Sequence, residues 1–171
     1  IPPPYFDRLA ARRELTAHFN NSNQSHADAR PKVLESLKSL VKQGRDAART
    51  ALDADGNGRR CAAGLSIFQD ELIRLIYDYT TTHVYRATNP SDAERMAIVA
   101  TGGYGRGLLA PGSDIDLLFL LPYKQTPWGE SVVEYMLLLL WDLGFKVGHA
   151  TRTIDQCLKL GMQDLTIRTS L

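Results

Sequence analysis

Thr101-Gly102-Gly103-Tyr104-Gly105-Arg106-Gly107-Leu108-Leu109-Ala110-Pro111-Gly112-Ser113-Asp114-Ile115-Asp116 joins two short apolar runs, Met96 to Ala100 and Ile115 to Leu121. Runs of this length, bounded by glycines on one side and by Pro122 on the other, predict buried strands. Asp114 and Asp116 stand two residues apart, and on a strand that spacing puts both side chains on one face. Two carboxylates so close repel each other unless a cation lies between them. Mg²⁺ takes hard oxygen ligands and is typically held through one or two carboxylates plus substrate phosphates. The pattern therefore predicts a divalent-metal site at Asp114 and Asp116, with Ile115 and Leu117 turned the other way into a core.

The glycines supply a complementary element. Without a Cβ, Gly102 and Gly103 let the backbone come close to an anion and turn its amides toward phosphate oxygens. Arg106, able to pair in bidentate fashion, and Ser113 are further candidates for phosphate contacts. A glycine turn beside metal-binding carboxylates suits nucleotidyl transfer, in which a nucleophile attacks the α-phosphate and pyrophosphate leaves. Gly105-x-Gly107-x-x-Ala110 also imitates a dinucleotide fingerprint. Pro111 and a strand follow where that fold requires a helix, so the Rossmann reading is rejected.

The pattern Gly-Gly followed by Asp-hydrophobic-Asp-hydrophobic resembles the signature of the DNA polymerase β-like nucleotidyltransferase superfamily. More closely, residues 102–118 are similar to the N-terminal domain of the bacterial PII uridylyltransferase family, as are Trp141-Asp142, Lys146-Val147-Gly148-His149 and Asp164 to Thr169. The resemblance covers roughly residues 60–171. It implies Mg²⁺-dependent transfer of UMP from UTP to a tyrosine of the PII signal protein in nitrogen control, in the cytoplasm, with Asp114 and Asp116 on the metal. The family's phosphohydrolase and glutamine-sensing domains find no counterpart in these residues, so transferase chemistry alone is expected. Many superfamily members carry a third carboxylate on a later strand. The matching strand here, Lys146 to His149, has none; Asp142, Asp155 and Asp164 are the nearest acids, and His149 is a conceivable base. Two other readings stay open: a catalytically silent nucleotide-binding module, and an adenylyltransferase with another acceptor.

Upstream, Tyr5 to Phe19 is a short amphipathic stretch and Asn20 to Ser25 is polar, so a linker near 20–31 is expected. Val33, Leu34, Leu37, Leu40 and Val41 predict a helix from Lys32 to Leu52, and Leu65, Phe68, Leu72, Leu75, Ile76, Tyr79 and His83 a second from Arg60 to Tyr85. Asp53 to Gly58 imitates the start of a calcium loop, yet Gly64 stands where a bidentate Glu is needed. A helix-connecting turn is the better reading. Trp128 to Trp141 predicts a helix packed on the sheet, Phe145 to Ala150 a third strand, and Thr153 to Leu160 and Met162 to Leu171 further helix. Tyr104 could stack on a base or pack against its own turn.

The expected fold is α+β: a short mixed sheet flanked by helices, residues 60–171, behind a helical extension, residues 1–59. A net charge of +1 gives no basic excess for a nucleic-acid partner. The longest apolar run, Met136 to Trp141, is too short to span a membrane, and no signal peptide is expected from the opening residues. Two distant cysteines, Cys61 and Cys157, form neither a zinc ribbon nor a disulfide framework. A start without Met and an end inside a helical pattern suggest a piece of something longer.

Overall fold

A computed structural model describes residues 5–163. Helix α1 (Arg8–Asn21) is started by Asp7, whose carboxylate accepts from the amides of Leu9 and Ala10. Helix α2 (His26–Asp55) begins at the Ser25 cap and ends at Gly56. Helix α3 (Gly58–Tyr79) follows at once from its Asn57 cap. The Asp53–Gly58 cluster is thus a helix-connecting turn, as expected. Its Asp55 carboxylate is engaged by Arg60 at 2.8 Å.

The expected linker up to Pro31 shrinks to the turn around Ser22–Ser25. Pro31 lies inside α2 as its sixth residue, where its missing N–H removes one bond of the ladder. The long second helix also ends earlier than its stripe suggested. At Thr80 it widens into a π-turn (Thr80–Val84), where the Thr80 hydroxyl donates to the Ile76 carbonyl.

Strand β1 (Ala97–Thr101) leads into a one-turn helix, α4 (Gly102–Gly105), and the chain returns in β2 (Ile115–Leu121). Helix α5 (Pro127–Asp142) crosses over to β3 (Val147–Thr153), and α6 (Ile154–Gln163) closes the described chain. The sheet order is β1-β2-β3, with β1 antiparallel and β3 parallel to β2. The sheet is mixed and short, as expected. β1 differs from the expected buried strand: it is an edge, half-buried at best. A continuous apolar run signals strand formation but carries no information on position within a sheet. The helix read from Thr153 continues unbroken to Gln163, so no break separates it from Met162; the rest of the helix expected at Met162–Leu171 lies outside the described residues.

Only the central strand is deeply buried, with Ile115, Leu117, Phe119 and Leu121 at 3% exposure or less. Ile115, Leu117 and Phe119 belong to the same hydrophobic cluster as Leu37, Leu72 and Ile76 from the helices and Val132, Met136 and Leu140 from α5. The sheet therefore has a helix-covered face, bearing the odd-numbered residues of β2, and an opposite face bearing Asp116.

Candidate active site

Asp116 is the second residue of β2 and is half-buried, whereas Asp114 lies one residue before the strand and is exposed. In register, Asp116 stands between Thr101 of β1 and Gly148 of β3. Its carboxylate occupies space that glycine leaves on both sides. A Cβ on Gly102 would come within 2.6 Å of Oδ2, and one on Gly148 would overlap Oδ1. Gly102 also has φ of 60°, in the left-handed region that glycine adopts without strain. Among the described residues neither Asp114 nor Asp116 receives a hydrogen bond or ion pair. Half-buried carboxylate oxygens left without a donor, in a cradle that a methyl group would fill, fit a hard divalent cation such as Mg²⁺. No group of three or more His, Cys, Asp or Glu side chains that could hold a metal is assembled among the described residues.

The glycine turn opens α4. Thr101 offers no side-chain cap, so the first amides of the turn are not taken by a capping oxygen. Arg106 is exposed and folds back over the turn, its Nη2 3.8 Å from where a Gly103 Cβ would be. Ser113 is committed elsewhere: its hydroxyl donates to the Ala110 carbonyl at 2.7 Å within its own turn. The structure thus brings together Gly102 with Asp116 and Gly103 with Arg106, and leaves Ser113 holding the loop.

Two contacts fasten this loop to α3. The Tyr104 hydroxyl donates to Asp70 at 2.6 Å, and the Leu109 amide donates to the Ser66 hydroxyl at 2.9 Å. Tyr104 is 4% exposed, and burial, reinforced by the Asp70 carboxylate, pushes its phenol pKa far up. It packs and does not offer its ring to a base. His149 pairs with Leu117, so it shares the helix-covered face, where its ring lies 6.2 Å from that of Trp141. That position is across the sheet from Asp116. Asp142 is bound to Arg30 at 2.6 Å, and Asp155 is exposed on α6; Asp164 lies outside the described residues. Sequence reading missed Gly148, Asp70 and Ser66. Nothing in their local sequence marks them, because each acts on a residue distant in the chain.

The aspartates and the glycine turn, on their short mixed sheet, fall within residues 89–164, which match the family model described as Nucleotidyltransferase domain. Over 165 residues, 96% of this chain, it is 52% identical to the bifunctional uridylyltransferase/uridylyl-removing enzyme of Caulobacter vibrioides, in each of two strains. The chain spans 18% of the length of those relatives. Residues 89–164 are thus similar to nucleotidyltransferase domains, an enzyme class, and nearly all of the chain is similar to uridylyltransferases. No helix among the described residues is long and apolar enough to cross a membrane.

Proposed function

We propose that this chain is the transferase portion of a cytoplasmic enzyme that moves UMP from UTP to the PII signal protein in nitrogen regulation. The observation that carries the reading is the Asp116 carboxylate, set between Gly102 and Gly148 beside the glycine turn, with no protein donor among the described residues. Asp114 and Asp116 would hold Mg²⁺, which when bound neutralises phosphate charge and favours loss of pyrophosphate. The amides of Gly102 and Gly103, with Arg106, would receive the phosphates, and Ser113 would keep the loop in shape. The working unit is residues 60–171, since α3 contributes both anchors of the loop; residues 1–59 form the helical extension, whose α1 and α2 pack on α3.

The test is incubation of the chain with PII, Mg²⁺ and α-labelled UTP, beside Asp114→Asn and with α-labelled ATP for comparison. Metal-dependent labelling of PII from UTP, lost in the variant, supports the reading. Labelling from ATP would instead favour an adenylyltransferase. The absence, among the described residues, of any group of three or more His, Cys, Asp or Glu side chains favours a second reading, a silent nucleotide-binding module. UTP binding that needs Asp114 but yields no labelled acceptor would select it.

A further inference from the structure

On the helix-covered side of the sheet, beneath the site loop, lies a cavity of about 390 Å³ between α2, α3 and the start of β3. Leu65, Phe68, Leu109 and Phe145 form its apolar walls, and Ala110–Ser113, the segment leading into Asp114, forms one side. Gln69 also lines it, at 1% exposure, and its Nε2 has no hydrogen-bond partner among the described residues. A buried amide without a partner is costly, and such groups normally find protein or solvent partners. The rim is cationic. Arg45 lies over the Phe145 ring at 5.5 Å, Lys146 is exposed beside it, and neither has a carboxylate partner among the described residues. Arg49 adds a third positive charge, with Asp53 at 3.9 Å.

From this we infer a second ligand site, for a small amphipathic organic anion. Its apolar body fills the cavity, a carbonyl or similar acceptor takes the Gln69 Nε2 hydrogen, and its acid group lies among Arg45, Arg49 and Lys146. The volume falls within the range of small-molecule pockets, roughly 300–1,000 Å³. The cavity is separate from the aspartates, because Ile115 lines it while Asp116, the next residue on the strand, points to the opposite face.

The probe is 2-naphthoate, titrated into the isotope-labelled chain and followed by protein NMR, beside its uncharged amide. Saturable shifts of the Gln69 side-chain NH₂ are expected, with the amide binding about tenfold more weakly. Gln69→Leu and the exposed pair Arg45→Glu/Lys146→Glu should each weaken naphthoate by about tenfold or more. Excess MgUTP should not displace it. Absence of saturable shifts at Gln69, equal affinity in the folded charge-reversed variant, or displacement by UTP would overturn the assignment.

Discussion

Gly148 faces Asp116 across the parallel ladder, so a single methyl group there acts directly on the site. Gly148→Ala must push the Asp116 carboxylate aside. Transfer should fall at least about tenfold, alongside a stability loss of about 1–3 kcal/mol for the forced fit. Steady-state kinetics and urea unfolding on the same preparation check both numbers, and full activity in the variant would show that the carboxylate does not need its present position. Asp114→Asn behaves differently. Because Asp114 is exposed and unpartnered among the described residues, stability should stay within about 0.5 kcal/mol while transfer drops on the order of a hundredfold. At this scale the Asp-x-Asp pair and Gly102 were legible, since their signal lies within one short stretch. Gly148 was not, since its role exists only once β3 lies beside β2.

Among the elements, α3 does the most to position the site. It supplies Ser66 and Asp70 to the loop and buries Leu72, Leu75 and Ile76 completely. Leu72→Ala should cost about 2–5 kcal/mol, read as a lowered urea midpoint. Where α3 turns into the π-turn, His83 is held between α1 and α3, its ring 4.5 Å from that of Phe19 and its Nε2 3.2 Å from the Thr16 hydroxyl. Burial, with a smaller contribution from Arg12, lowers its pKa below the usual 6.5. The unfolded chain then binds more protons than the folded one in that window, so stability rises with pH. The contribution is fully present above about pH 6.5 and is lost as pH falls through the lower folded pKa. His83→Gln should flatten this slope, which urea midpoints at about pH 5 and about pH 8 would reveal; an unchanged slope would assign it to another group. The helices were readable from their stripes because core-facing residues recur at helical spacing. The ends of α2 and α3 were not. Pro31 is carried inside α2 although a proline normally marks a helix boundary, and the π-turn depends on packing around Thr80.

For the whole molecule, the helical layer and the sheet share one hydrophobic cluster, so a ligand at the aspartates should stabilise the fold as a unit. MgUTP at a hundred times its dissociation constant should add about 2.7 kcal/mol, seen as a raised Tm that Asp114→Asn lacks. A Tm unmoved by MgUTP would mean that the site is not assembled in this chain. The sequence by itself determined what depends on neighbours along the chain: the α+β class, the paired aspartates, the glycine turn and the helical stripes. Only the tertiary structure decided that β1 is an edge, that Tyr104 packs on Asp70, that His149 faces away from Asp116, and that Gly148 makes room for the carboxylate. Those outcomes follow from strand register and from which surfaces are buried, and both are set by contacts between residues far apart in the chain.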